Sequence, residues 1–366
     1  MSGVVDTNLS RGSGSIGAPA SGKAVTESSS NPVVDTNPPT GVGTLYLNTS
    51  SGNLFCCTDS TADSNHWINV GEGEVSVQPA IPFLGDRAVF GGGWSSSTMD
   101  YFSISSLGSA SSFGSMDFDT SGLGACSNRT RGLFVGGVSS SNVIQYITVA
   151  STGNSTDFGN LTVGRGDGMA GMSNGTRGVA AGGYASGNRN EIDYVTISST
   201  GNATDFGNLT VARYEVKGFA NETRGVIGAG AGDSAVIDYI TVASTGNATD
   251  FGDMSVSRYA YGASCHRTRG LFSNGTPSSY SAATDVIDYI TIASTGNATD
   301  FGDTNFGRYW TDSASDGTKH VTGGGDNTSD ARISTCEHVT IDTIANALTF
   351  GGLSSSRRIV SALSGS

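Results

Sequence analysis

The 366-residue sequence predicts an all-β chain in which one four-stranded unit is written six times, and three observations carry that prediction. The first is composition: 54 Gly, only 14% charged residues and only 7 Pro, with abundant Ser, Thr and Asn, suit many short strands joined by tight turns. The second is self-similarity, most legible as ITVASTGNSTDFGNLTVGR at 147–165 and VTISSTGNATDFGNLTVAR at 195–213. A Phe-Gly landmark falls at Phe113, Phe158, Phe206, Phe251, Phe301 and Phe350; subtraction gives periods of 45, 48, 45, 50 and 49 residues. Such a period selects a propeller blade. The third is the phase of the ends. GDRAVFGGG at 85–93 corresponds to a second strand without a first, and RRIVSALS at 357–364 to a first strand without a second. Pairing the two would complete one sheet and remove the edges of an open array.

From the N-terminus, residues 1–40 are a polar arm without periodicity, expected to be ordered only by being laid onto an assembly. Residues 41–78 are read as a small β module and linker. Its hairpin turns at Ser51-Gly52, sets Leu45 and Leu47 against Leu54 and Cys56, and is followed by a last strand around Trp67. Thirty residues make a poor core alone. Residues 79–366 are the six-bladed β-propeller, closed by the C-terminal strand. Its third copy divides into strands at 165–173, 176–183, 191–198 and 204–211, separated by turn signals such as Asn174-Gly175.

The repeat resembles the kelch family over residues 85–364. Glycine doublets stand at Gly91-Gly92, Gly136-Gly137, Gly182-Gly183 and Gly323-Gly324, a Tyr at Tyr101, Tyr146, Tyr194, Tyr239 and Tyr289, and an opening Arg at Arg165, Arg213, Arg258, Arg308 and Arg357. Phe replaces the family's Trp in every copy, and the doublet departs to GAGAG at 228–232 and FSNG at 272–275. The resemblance implies blades closed by strands from both termini.

Several strings mimic chemistry. Asp-Phe-Gly at Asp157, Asp205, Asp250 and Asp300 copies a kinase magnesium motif, yet it recurs without a catalytic loop and reads as a turn and packing signal. The Thr-Arg-Gly arginines Arg131, Arg177, Arg224 and Arg269 could form an anion-attracting ring. The structural alternative is that these and the opening arginines bond Asp157, Asp205, Asp250, Asp300 or carbonyls between blades, and it is favoured because every copy holds both partners. Four histidines (His66, His266, His320, His338) and five cysteines (Cys56, Cys57, Cys126, Cys265, Cys336) show no metal spacing. No catalytic residue, metal or cofactor is expected, and Asn154, Asn202, Asn247 and Asn297 read as turn residues rather than glycan acceptors. A formal net charge of −13 disfavours nucleic acid. No apolar run is long enough to span a bilayer, and MSGVVDTNLSRGSGS lacks the regions of a secretion signal, so a soluble chain made in the cytoplasm is expected.

What varies between copies is the loop after the doublet, and Trp94, Tyr184, Arg189 and Tyr280 are its side chains best suited to gripping a ligand or receptor. The run Gly43-Thr44-Leu45-Tyr46 with Asn48, Gly52-Asn53-Leu54-Phe55 and Trp67 resembles small modules of tailed-bacteriophage fibres and other virion proteins. That resemblance implies a non-enzymatic virion component, a tail fibre or appendage facing the host surface. Other virion proteins would dock through residues 1–78, and the small module would form a homotrimer. A capsid decoration protein is the alternative, and a propeller-based enzyme ranks third.

Overall fold

The computed structural model describes residues 25–70, 83–231, 234–277 and 282–366. Contacts part the chain into two units, Met1–Pro79 and Ala80–Ser366.

In the first unit, strands β1 (Thr26–Ser28), β2 (Leu45–Asn48), β3 (Leu54–Asp59) and β4 (His66–Asn69) form one sheet in that order, with β1 parallel to β2. Leu45 lies opposite Cys56 and Leu47 opposite Leu54, as the turn position requires. The buried face is the other one: Tyr46, Phe55, Cys57 and Trp67 make the core, with Tyr46 edge-on to Trp67 at 5.5 Å. Part of the expected featureless arm is structured. Thr26–Ser28 adds the parallel strand, and the Asn65 carboxamide donates to the Val34 carbonyl (2.9 Å) and to Asn37 (2.8 Å). Residues 1–24 and 71–82, the rest of the arm and the linker, lie outside the described residues.

Among the described residues the second unit holds six four-stranded antiparallel sheets. Sheet 2 is Gly124–Ser127, Arg131–Val135, Val143–Thr148 and Thr156–Asn160; sheet 3 is Ala170–Ser173, Arg177–Ala181, Glu191–Thr196 and Thr204–Asn208. Sheet 4 is Gly218–Ala220, Arg224–Ile227, Val236–Thr241 and Thr249–Asp253; sheet 5 is Gly262–Cys265, Arg269–Ser273, Val286–Thr291 and Thr299–Asp303. Sheet 6 is Asp312–Ser315, Lys319–Gly323, Thr335–Thr340 and Leu348–Gly352. Sheet 1 draws its first strand from the C-terminus: Ser361–Gly365 pairs with Arg87–Gly91, Ala362 opposite Phe90, and Thr98–Ser103 and Ser111–Ser115 complete it. First strands are shorter than expected; sheet 3 begins at Ala170, not at 165, because the residues before it form the buried arginine anchor and turn described below.

The Phe-Gly landmark is a β-bulge rather than a plain turn. In sheet 3, Ile192 faces Gly207 and Asp193 faces Asp205, so Phe206 is the extra residue of the fourth strand. The same shift recurs at Phe113, Phe158, Phe251, Phe301 and Phe350. An extra residue bends its strand and re-aims side chains. Each bulged Phe is buried, edge-on to the preceding strand's Tyr (Tyr194–Phe206, 6.0 Å), or to His338 in sheet 6 (5.8 Å). The glycine that follows is needed because the next sheet approaches it: a Cβ on Gly159, at φ 147, would stand 2.3 Å from the Gly201 carbonyl oxygen.

The third-strand acid beside the bulge is the partner of the opening arginine. Arg165–Asp193 (2.9 Å), Arg213–Asp238 (3.0 Å), Arg258–Asp288 (3.1 Å), Arg308–Glu337 and Arg357–Asp100 (2.6 Å) are buried ion pairs, each within one sheet. The expected partners Asp157, Asp205, Asp250 and Asp300 are instead exposed on the fourth strands, opposite the third-strand acids or, for Asp157, opposite Gln145. Sheet 2 has neither charge: Thr120 stands where the arginine would be and Gln145 where the aspartate would be. The Gln145 carboxamide oxygen accepts from Asp117 N (3.0 Å) and Ser155 Oγ (2.5 Å). Both charges changed together because either one left alone would be a buried, unpaired ion.

The Thr-Arg-Gly arginines take the inter-sheet role. Arg131, Arg177, Arg224 and Arg269 lie over Tyr146, Tyr194, Tyr239 and Tyr289 at 4.4–4.5 Å. They donate to the carbonyls of Ile197 (2.8 Å), Val242 (3.1 Å), Ile292 (2.7 Å) and Ile341 (2.8 Å), each in the following sheet. Arg87 does the same from sheet 1 to Ala150 (2.7 Å) of sheet 2, and Lys319 from sheet 6 to Ile104 (3.2 Å) of sheet 1. These links therefore return to their starting sheet. Asn154, Asn202, Asn247 and Asn297 run alongside: their side-chain oxygens accept backbone N–H groups of Ser115, Asn160, Asn208 and Asp253 in the preceding sheet, at 3.0–3.1 Å.

The natural replacement in sheet 2 makes a direct test. Arg165→Thr or Asp193→Gln alone should cost about 3–5 kcal/mol by leaving one buried charge, whereas the double variant should recover a large part of that loss. Urea unfolding of the three variants measures the coupling; strictly additive losses would contradict it.

Candidate functional site

Between each opening arginine, or Thr120 in sheet 2, and the first strand lies a short turn, and two residues after that opening position stands Gly122, Asp167, Glu215, Ala260, Trp310 or Ile359 in sheets 2, 3, 4, 5, 6 and 1. All six are left-handed, with φ of 66, 52, 52, 60, 56 and 59°. Backbone bonds string them together: Ile359 N donates to Trp310 O (2.8 Å), Trp310 N to Ala260 O (2.7 Å), Ala260 N to Glu215 O (3.4 Å), Glu215 N to Asp167 O (3.0 Å) and Gly168 N to Gly122 O (3.0 Å). A left-handed conformation costs a non-glycine residue roughly 1 kcal/mol or more, and for β-branched Ile359 it is unusual. The backbone repeats six times here while the side chains do not repeat at all.

These side chains surround a cavity of about 240 Å³. Trp94, Tyr214, Trp310 and Ile359 give it apolar walls, Asp167 and Glu215 give it carboxyls, and Lys217 also lines it. Lys217 is tied to Asp312 at 2.8 Å, a buried pair linking sheets 4 and 6 across the intervening sheet. Trp310 Nε1 donates to Glu215 Oε1 (3.0 Å), while Glu215 Oε2 is buried without a hydrogen-bond partner. Burial lifts the Glu215 carboxyl to about 7, with Asp167 adding to the rise and Trp310 and Lys217 opposing it. Partial desolvation also raises Asp167, which stays exposed to solvent at the cavity rim. The Arg358 guanidinium lies 5.1 Å from the Trp94 ring centre and 4.5 Å from that of Trp310, and donates to Asp326 (2.7 Å), so both indoles are held in place.

Of the residues singled out in the sequence, Trp94 lines this cavity and is half exposed. Tyr184 stands one ring behind it, edge-on to Tyr214 at 5.4 Å. Arg189 is engaged with Glu191 (Nε to Oε2, 3.0 Å) and does not line the cavity, and Tyr280 lies outside the described residues. The variable loops pair with the turns that carry the cavity residues, through Gly166–Tyr184, Tyr259–Thr276 and Tyr309–Asp326. Arg131, Arg177, Arg224 and Arg269 belong to the frame, as above. Sequence reasoning missed Asp167, Tyr214, Glu215 and Trp310. The signal that finds three of them is a single column two residues after the opening arginine, which varies completely beside an otherwise repeated position.

Elsewhere, His320 is buried between Ser264 Oγ (2.6 Å) and Ser273 Oγ (2.9 Å), and desolvation lowers its pKa to about 3, so it is a neutral packing group. Among the described residues no group of three His, Cys, Asp or Glu could hold a metal ion, and no helix is long and apolar enough to cross a membrane. No protein-family model matches the sequence, and no curated protein matches it.

The elevated Glu215 sets a stability window. Its native carboxyl binds a proton more tightly than the unfolded chain's, whose ordinary value is 4.5, so stability falls as pH rises from about 4.5 to about 7 and the full penalty stands above that. Glu215→Gln should therefore raise the melting temperature at pH 8, by a stabilisation on the order of 1–3 kcal/mol, and leave it nearly unchanged at pH 4. Equal effects at both pH values would contradict a buried carboxylate at this position.

Proposed function

We propose that residues 80–366 form a six-bladed kelch-like β-propeller, and that it acts as a non-enzymatic recognition module of a virion structural protein, with the cavity beside Trp94 as its receptor-facing site. Three facts support the architecture. The first strands of all six sheets line one narrow space, and they are built of small residues such as Ala125, Gly171, Ala220, Ala263, Ala314 and Ala362. The cationic links run through the sheets and return to sheet 1. The terminal strand completes sheet 1.

The observation that carries the recognition reading is the contrast at the left-handed turns, where one repeated backbone conformation carries six different residues, five of them with side chains. A purely structural repeat has no reason to place strained Asp, Glu, Trp and Ile where glycine would serve at lower cost. Frame positions repeat, whereas a specific site needs residues that do not. The virion assignment rests on the likeness of residues 43–67 to phage modules; under it the first unit belongs to the anchoring part and the propeller is carried outward, on a tail fibre or appendage.

The full-length protein should be retained on an array of bacterial surface glycans and small polar ligands, without product release, and Trp94→Ala should abolish that retention while leaving the unfolding transition unchanged. Retention indifferent to Trp94, or turnover of a bound ligand, would contradict the recognition reading. Gold-labelled antibody on intact particles should mark the tail; labelling of capsomers would replace the fibre assignment with capsid decoration.

A further inference from the structure

We infer that the cavity between Trp94, Tyr214 and Trp310 takes a small organic cation, a protonated amine seated against Asp167 and Glu215. This rests on the reading of that cavity as the recognition site and specifies its ligand chemistry.

Three features select the charge. Lys217 is already neutralised by Asp312 at 2.8 Å, and Arg358 at the indole edge by Asp326 at 2.7 Å, which leaves Asp167 and Glu215 as the uncompensated charges of the lining. Glu215 Oε1 accepts from the Trp310 indole, but Oε2 is buried with no donor, so the cavity holds an acceptor waiting for an N–H or O–H. An anion would face two carboxyls. A neutral hydroxyl would satisfy the orphan oxygen but leave the largely buried Glu215 carboxylate uncompensated beside the exposed Asp167, whereas an ammonium satisfies the oxygen and offsets the charge of both. The aromatic walls add to the preference, because ring faces attract cations.

Size limits the ligand. A cavity of about 240 Å³ falls below the roughly 300–1,000 Å³ of sites for drug-sized molecules, so a single ring or short chain fits and an oligomer does not enter. Binding should also be linked to protons. The groups facing Glu215 are Asp167, Lys217 and the Tyr214 phenol, with the Trp310 indole on its other oxygen, and a cation favours the ionised carboxylate, so affinity should fall as pH drops below about 7.

The test is an NMR titration of the full-length protein with two probes of matched shape, 4-aminocyclohexanol and cyclohexane-1,4-diol. At pH 7.5 the amine should bind at least about tenfold more tightly than the diol; Glu215→Gln should erase that preference without weakening the diol, and at pH 5.5 the amine should lose several-fold in affinity. Equal binding of the two probes, tighter binding of the diol, or binding of neither overturns the inference. If retention on the array still depends on Trp94 in that case, recognition stands and only the cationic ligand falls; if Trp94-dependent retention is absent as well, the recognition reading has failed.

Discussion

Each sheet of the second unit depends on one extra residue in its fourth strand. The bulge at Phe206 and its five equivalents turns a buried aromatic against the third-strand Tyr or His, beside the third-strand acid that pairs with the opening arginine. In sheet 2 that third-strand position holds Gln145. The bulge also leaves a bare glycine where the next sheet's turn must pass within van der Waals contact. A single change of register thus couples packing within a sheet to contact between sheets. Without the acid beside it, the arginine would be a buried charge without a partner.

On this frame the second-strand cations carry the coupling around the unit. Five arginines and Lys319 reach carbonyls of the neighbouring sheet, and each of those guanidinium groups lies 4.4–4.7 Å from the centre of a tyrosine ring. Sheet 6 shows how far the pattern bends: Lys319 and His338 stand where the others have Arg and Tyr, and both changed in one copy, as Thr120 and Gln145 did in sheet 2. Coupled departures of this kind mark interacting positions within a single chain. The left-handed turns behave oppositely: the residue differs in every copy, and Trp310 and Glu215 meet through a hydrogen bond that no other pair of these turn residues repeats.

The four-strand unit, the positions of the turns and the pairing of residues 357–364 with 85–93 were legible because period, turn chemistry and phase each leave a mark in sequence. The bulge was not. Phe-Gly inside a strand and Phe-Gly in a turn share the same letters, and only the pairing register tells them apart. The arginine partners were misassigned because Asp205, Asp250 and Asp300 stand in the legible motif, whereas the buried acids lie opposite them on the third strand, where only the pairing register singles them out. Trp94 was visible as an aromatic in a variable loop. Asp167, Glu215 and Trp310 were not, because their common property is a backbone angle, and nothing in the identities Asp, Glu and Trp predicts a positive φ.

The central claim is that the six sheets stand or fall together through the strand the C-terminus lends to sheet 1. Urea unfolding of a chain ending at Arg358, compared with the full chain, tests it most directly. A closed circuit predicts that the shortened chain loses its single cooperative transition and its aromatic near-ultraviolet circular dichroism. An unchanged slope with a small drop in midpoint would show that the sheets are an open array, and would contradict the claim.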